Sequence, residues 1–239
     1  MASRSVRRRH RVNEPLHLRK RLKTLRKRIR QWRADGLLVT NPRDIRYLTG
    51  FIGDDSWALV LARSSKVHLI SDGRFEQQIQ REAPHAVAHM RKKGLSDELV
   101  AVNERLGLRR IALQSAHVTI ALRKVLEKKL GRRRITAVDD GLIKQRAIKD
   151  KAEVVAIRQA GAIQQEAFRR VMKKIRSWLT EQQIAAMLEY EMRVLGADGA
   201  CFATIVAAGA NASLPHVLPG ATKVKRGGIV LIDWGARYH

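Results

Sequence analysis

Between Leu37 and Val138 the sequence alternates short apolar runs of strand length with segments whose apolar residues recur at helical spacing. The predicted strands are 37–40, 57–61, 67–70, 111–113 and 135–138, and the predicted helices are 75–82, 97–106 and 120–130. An apolar stripe from Leu18 to Trp32 precedes them and predicts an amphipathic helix that Gly36 ends. Such alternation is typical of helices packed on a sheet. The sequence therefore predicts an α/β (α+β) fold.

A second block of elements begins near Asp140. Asp150 is a suitable N-cap for a long amphipathic helix over 150–175, and Thr180 with Gln183 has the form of a capping box that opens a helix over 181–195. Strands are predicted at 202–207 and 229–234, with a Gly/Asn/Pro loop between them. The predicted organisation is a basic disordered tail (1–13), a first domain (14–140) and a second domain (141–239).

Positive charge is concentrated at the amino terminus. The chain carries 48 Lys and Arg against 22 Asp and Glu, a net charge of +26, and residues 1–33 hold 14 basic residues and one acid, so 14 − 1 = +13 of it lies there. A basic arm can bind nucleic acid through counterion release. No aromatic residue interrupts the run from Arg4 to Arg30 to stack on bases. We interpret the arm mainly as a solvated tail, with nucleic-acid binding as the alternative.

Cysteine content and hydropathy indicate the compartment. The single cysteine, Cys201, has no partner for an internal disulfide or a Cys-rich zinc site, which is typical of a reducing compartment. No apolar run approaches the length of a membrane span, and the basic amino terminus lacks the apolar stretch of a secretory signal. We expect a cytoplasmic protein that has no membrane partner.

Several catalytic signatures are absent from the sequence. It has no phosphate-binding loop that ends in Lys-Ser or Lys-Thr, no nucleophile elbow and no pair of histidines spaced for a metalloprotease helix. Two residues stay as candidates. Asp233 ends an apolar strand just before Trp234-Gly235, where a carboxylate can hold a hard divalent ion or simply cap a turn. His216 lies in a loop, where a histidine can be catalytic or an ordinary exposed side chain.

Five ordered segments resemble the creatinase/aminopeptidase P superfamily of pita-bread peptidases, particularly its Xaa-Pro dipeptidases and aminopeptidases. The stretch NPRDIRYLTGF at 41–51 is similar to the family's NPxNIRYLTGF signature. The other matching segments are SDGRF at 71–75 with EAP at 82–84, the interdomain link over 143–160, EYEM at 189–192 with TIVA at 204–207, and LPH at 214–216 with LIDWGA at 231–236. The resemblance extends over nearly the whole chain.

The resemblance implies a creatinase-like amino-terminal domain followed by the first half of a pita-bread catalytic domain. The implied activity is metal-dependent hydrolysis of Xaa-Pro peptides, with proline-containing peptides as partners and a homodimer as the assembly of many members. Asp233 takes the position of an aspartate that bridges two divalent ions, commonly manganese, cobalt or zinc. His216 takes the position of a histidine that contacts the substrate and, in some relatives, transfers a proton.

The sequence also departs from the family pattern. The family's other metal ligands lie further along the chain than His239, so we expect a fragment or a decayed copy that binds metal weakly and is inactive alone. Val217 follows His216 where a small residue is usual, and the segment 208–211, AGAN, replaces SGPN. The alternative function is a non-catalytic, peptide- or protein-binding pseudo-peptidase whose basic arm binds nucleic acid.

Overall fold

A computed structural model describes residues 14–139 and 141–239. The predicted tail, residues 1–13, lies outside the described residues. The chain divides into two compact units between Ile148 and Lys149. Helices and strands occur in both units, which confirms the predicted mixed α/β class. Within the described ranges, no helix is both long enough and apolar enough to cross a membrane.

The first unit is a mixed six-stranded sheet with helices on both faces. Its helices are α1 Leu16–Gln31, α2 Pro42–Thr49, α3 Glu76–Glu82, α4 Leu95–Leu106, α5 Ile120–Leu130 and α6 Gly141–Ala147, and its strands are β1 Gly36–Val39, β2 Trp57–Leu61, β3 Val67–Ser71, β4 Val87–Met90, β5 Ile111–Gln114 and β6 Ile135–Val138. The strand order is β4-β3-β2-β1-β5-β6. Strand β1 is antiparallel to β2 and parallel to β5. All residues of β1 and β5 are buried, as expected where helices cover both faces of a sheet.

Helix α1 forms as its apolar period predicts. Leu18, Leu22, Leu25 and Ile29 lie on its buried face and the last three join a core cluster of the first unit. Burying each such side chain stabilises the fold by about 1.5–3 kcal/mol relative to exposure. The basic residues of the helix lie outside this buried stripe.

Helix α6 explains where the first unit ends. Arg28 donates a hydrogen bond to the carbonyl of Gly141 at 2.7 Å, and Gln145 donates to the hydroxyl of Tyr47 at 3.2 Å. Leu142 is buried in the same core cluster as α1. These contacts hold α6 on the first unit, so the division lies after Ile148, later than the boundary at 140 predicted from the sequence.

The second unit packs two helices against two short strand pairs. Its elements are α7 Lys151–Met172, α8 Glu181–Val194, β7 Gly199–Ala200, β8 Ile205–Ala208, β9 Val230–Asp233 and β10 Ala236–Arg237. Strand β8 is antiparallel to β9, and β7 is antiparallel to β10. The predicted N-caps of both helices form, because Asp150 accepts from Glu153 N and Thr180 accepts from Gln183 N. The second unit therefore begins with helix α7, whose start is fixed by the local capping residue Asp150.

Candidate functional site

Asp233 is the last residue of β9 and stands at the open end of the β8–β9 pair. It lies opposite Ile205, whereas Val230 at the start of β9 lies opposite Ala208. The two ends of β9 are about 10 Å apart at the usual rise of a strand. The Asp233 side chain is exposed. Its carboxylate is therefore presented at the end of the strand pair that is remote from the connecting loop.

Helix α7 fixes the backbone that follows Asp233. The ring of Trp234 stacks on Phe168 with centroids 4.7 Å apart, and Gln164 donates a side-chain hydrogen bond to the Trp234 carbonyl at 3.0 Å. The Trp234 indole N–H donates in return to the Gln164 carbonyl at 3.3 Å. Reciprocal hydrogen bonds and a stacked ring hold the backbone that follows Asp233 in one position.

Gly235 is closely packed against the Cys201 and Phe202 side chains beside this strand end. Its carbonyl accepts a hydrogen bond from Cys201 N at 2.9 Å, which brings the two backbones together. A Cβ atom at position 235 would overlap Cys201 Sγ and approach Phe202 Cε1 to 3.2 Å. The glycine in the segment Asp233-Trp234-Gly235 therefore has a steric cause.

We predict that Gly235→Ala destabilises the protein by about 0.5–1.5 kcal/mol, because the added methyl group forces the Cys201 side chain out of its rotamer. The matched control is Gly161→Ala in α7, where an added Cβ meets nothing within 4 Å. Alanine in an open helical position is expected to stabilise by about 0.5–1 kcal/mol. Urea unfolding followed through amide resonances of α8, which lies in the same unit, measures both values. Equal effects of the two substitutions would contradict the steric explanation.

His216 lies in the connection between β8 and β9. We call residues 209–222 the histidine loop; it begins with a 3₁₀ turn, Gly209–Ser213. Gly209 has a φ of +58°, in the left-handed region that glycine adopts readily. The His216 side chain is exposed. An exposed imidazole on a loop is accessible to a ligand, which is what contact with a substrate requires.

Glu181 is a buried residue of this region that the sequence interpretation did not single out. It occupies the first position of α8 and is fully buried. One carboxylate oxygen accepts from Ala208 N at 2.7 Å and from Asn211 Nδ2 at 2.9 Å, and the other accepts from Gly220 N at 2.9 Å. Burial raises the pKa of Glu181, but the three hydrogen bonds outweigh it and the pKa lies below its ordinary value.

His216 and Asp233 are not brought into contact within the described residues, since no hydrogen bond or ion pair joins them. In the ranges 14–139 and 141–239, no group of three His, Cys, Asp or Glu side chains could hold a metal ion. Asp233 supplies a single accessible carboxylate. That donor set does not fit a two-metal centre by itself, because two dications need more carboxylate and imidazole ligands.

Comparison with protein families assigns the two units. Residues 21–148 match the Creatinase/Prolidase N-terminal domain, which is more than half of the chain. The chain belongs to the creatinase/prolidase family. Residues 155–239 match metallopeptidase family M24. The family resemblance and the fold that it implied, a creatinase-type amino-terminal domain followed by part of a peptidase domain, are confirmed.

Curated relatives of this creatinase/prolidase chain include named peptidases. It is 29% identical over 220 residues to the peptidase YqhT of Bacillus subtilis, an alignment that covers 91% of this chain and 61% of that protein. It is 26% identical over 205 residues to the Xaa-Pro dipeptidase of Pyrococcus horikoshii, covering 85% of this chain and 56% of that protein. The chain therefore spans about three-fifths of the length of the curated relatives that it matches.

Solved structures show the same architecture. The X-Pro aminopeptidase of Thermotoga maritima superposes with a TM-score of 0.80 at 33% identity, covering 88% of this chain and 61% of that one. The Xaa-Pro dipeptidase of Bacillus anthracis superposes with a TM-score of 0.85 at 24% identity, covering 92% and 61%, and supports the fold alone. The described elements thus share the fold of about three-fifths of each of these peptidases.

Proposed function

We propose that this chain provides the amino-terminal domain and the first part of the catalytic domain of a metal-dependent Xaa-Pro peptidase. The observation that carries the proposal is the succession of a creatinase/prolidase domain and an M24 domain in one chain. Relatives named Xaa-Pro dipeptidase and a structure named X-Pro aminopeptidase point to peptides that contain proline as the substrate class.

Two residues have proposed roles in this function. Asp233 is the proposed metal ligand, because it is an accessible carboxylate at the end of a strand whose backbone α7 fixes. His216 is the proposed substrate contact and proton-transfer residue, because it is exposed on the loop between the same two strands. The proposed ions are manganese, cobalt or zinc, and they require ligands beyond those that the described residues supply.

The 239-residue chain is proposed to be inactive by itself. The described residues offer one carboxylate at the candidate metal position, and a single charge of −1 does not offset two dications or fix their geometry. Homodimerisation and a cytoplasmic location stay predictions. Nucleic-acid binding by the basic arm also stays a prediction, because residues 1–13 lie outside the described part of the chain.

A chimera tests the proposal. The segment of the Thermotoga maritima X-Pro aminopeptidase that follows the aligned region is appended to this chain, and hydrolysis of Ala-Pro and Ala-Pro-Ala is measured with manganese, cobalt or zinc. We expect turnover by the chimera, none by the 239-residue chain and none of Ala-Ala-Ala by either. Preference for the dipeptide Ala-Pro would indicate a dipeptidase, and preference for the tripeptide Ala-Pro-Ala would indicate an aminopeptidase.

Two outcomes of this assay contradict the proposal. Turnover by the 239-residue chain alone would show that it holds a complete site. A chimera that has native-like circular dichroism and binds Ala-Pro-Ala without hydrolysing it would favour a non-catalytic binding protein. Circular dichroism and size-exclusion chromatography are recorded first, so that a misfolded chimera is replaced by one with a shifted junction before activity is scored.

A further inference from the structure

The histidine loop has a neck at which its two ends meet the first turn of α8. Ala208 and Asn211 precede His216 in the chain, Gly220 follows it, and all three donate hydrogen bonds to the Glu181 carboxylate. The two carboxylate oxygens therefore join the start of the loop to its end. Glu181 thus makes hydrogen bonds to residues on both sides of His216.

The backbone of α8 reinforces the same neck. Glu181 N donates to the Thr222 carbonyl at 3.0 Å, and Gln182 N donates to the Gly220 carbonyl at 3.1 Å. The first N–H groups of a helix have no partner within the helix, so they are available for such contacts. Asn211 Nδ2 lies 3.1 Å from Thr222 Oγ1 as well. The loop end is thus bound by the helix backbone, and the loop start is bound by Glu181, by Thr222 and by the pairing of β8 with β9.

We infer that Glu181 is a positioning residue that holds the histidine loop closed and thereby sets where His216 lies. Only the meaning of that position for a substrate rests on the function proposed above. An ionised carboxylate is favoured at this position, because three N–H donors converge on the two buried oxygens of Glu181. Hydrogen bonds to an ionised carboxylate are stronger than those between neutral groups, and a buried carboxylate near a helix N-terminus is further stabilised by the helix dipole.

Neutralising the carboxylate has a defined chemical consequence. Glutamine at position 181 has the size of glutamate but presents one NH₂ group. Whichever way the amide turns, that group faces a donor, either Gly220 N on one side or Ala208 N and Asn211 Nδ2 on the other. At least one buried N–H then loses its acceptor, which favours opening of the neck.

The test is hydrogen exchange and NMR of the full 239-residue chain at pH 7. In Glu181→Gln we expect at least one of the amides of Ala208 and Gly220 to exchange about 10-fold faster or more, the effect of losing one buried hydrogen bond. The His216 ring resonance, assigned with a His216→Ala variant, should shift. The matched control is Glu189→Gln on the same helix, whose side chain accepts no hydrogen bond among the described residues; it should change neither readout.

A pH profile of the unsubstituted protein gives a second readout that does not depend on a variant. The pKa of Glu181 is lowered in the folded state, so the closed loop is fully stabilised above the ordinary glutamate pKa of about 4.3 and opens as the pH falls through the lower folded value. The groups that face the carboxylate are two backbone N–H groups and an amide, and no ionised side chain contributes to the shift. Protection of Ala208 and Gly220 should be lost below that pH before protection in α7.

The results separate this inference from the proposed function. Unchanged exchange of Ala208 and Gly220 in Glu181→Gln, together with no selective loss of their protection at low pH, would overturn the positioning role whatever the substrate is. If the loop opens as expected and the chimera still fails to hydrolyse proline peptides, the positioning role stands and the proposed reaction does not.

Discussion

Replacing Asp44 by alanine is expected to lower the free energy of unfolding of the first unit by about 3–5 kcal/mol, the usual effect of removing one partner of a buried ion pair. The Asp44 side chain has no exposed surface. One of its oxygens accepts from Arg146 NH1 at 2.9 Å, and the other accepts from Gln114 Nε2 at 2.9 Å. Without the carboxylate, the guanidinium loses its counter-charge and the amide loses that acceptor.

The partial exposure of Arg146 determines whether the loss of stability in Asp44→Ala lies nearer 3 or nearer 5 kcal/mol. Its side chain keeps 35% of its accessible surface, so water can solvate part of the guanidinium when Asp44 is absent. The cavity left by the carboxylate adds to the loss, because the site lies among packed elements. We therefore expect a value nearer 3 than 5 kcal/mol. The same ion pair links α2 to α6, so α6 should lose hydrogen-exchange protection before the sheet does.

Asparagine at position 44 is the matched variant. The family signature NPxNIRYLTGF has asparagine at this place, and asparagine keeps the shape and one acceptor oxygen while it removes the charge. We expect Asp44→Asn to cost about 1–2 kcal/mol, roughly one hydrogen bond. Asp54, an exposed aspartate of the same unit, serves as the surface control, where alanine should change stability by less than about 0.5 kcal/mol.

Hydrogen exchange resolved by unit is the appropriate measurement, because tryptophans lie in both units and report a mixed signal. Amides of β1 and β5 follow the first unit, and amides of α8 follow the second. A loss below about 1 kcal/mol in Asp44→Ala, or a loss shared equally by the two units, would show that the Asp44 carboxylate does not hold the first unit together as the contacts indicate.

The regular elements of the first unit could be predicted because their patterns are local. The stripe from Leu18 to Ile29 needs only helical periodicity, and the apolar run at 57–61 needs only its length and its flanking turns. The sequence does not predict helix α2, because an Asn-Pro pair after a strand is usually a turn signal. In the structure Asn41 caps the helix and Pro42 occupies its first position, where proline is favoured. Strand β4 was also missed, since it is short and forms by pairing with β3.

The residues of the candidate site also differ in whether a local sequence pattern reveals them. Asp233 and His216 could be singled out because each lies in a short segment that resembles a family motif. The role of Glu181 could not, because its partners Ala208, Asn211 and Gly220 follow it by 27 to 39 positions and its own neighbourhood shows only a capping box. Long-range contacts of a buried carboxylate leave no periodic pattern in the sequence. An acidic residue at the start of a helix is commonly explained by the helix dipole alone.

Asp233→Asn in the active chimera is expected to reduce kcat/KM for proline peptides by more than about 100-fold. Mutating a group that only orients a metal ligand already lowers metal affinity or activity by about 10- to 100-fold. The amide of asparagine, in addition, carries no charge to offset a cation. Stability should change by less than about 0.5 kcal/mol, because the side chain is exposed and no described residue forms a hydrogen bond or ion pair with it.

The matched control for that substitution is Glu189→Gln, which removes one carboxylate charge from the same unit and should leave kcat/KM within about twofold. Metal content by mass spectrometry completes the test, since loss of a ligand lowers occupancy at limiting manganese whereas loss of a substrate contact raises KM at full occupancy. If Asp233→Asn keeps both its metal content and its activity, then Asp233 is a turn-capping residue at the end of β9 and the carboxylate that bridges the ions must come from another position.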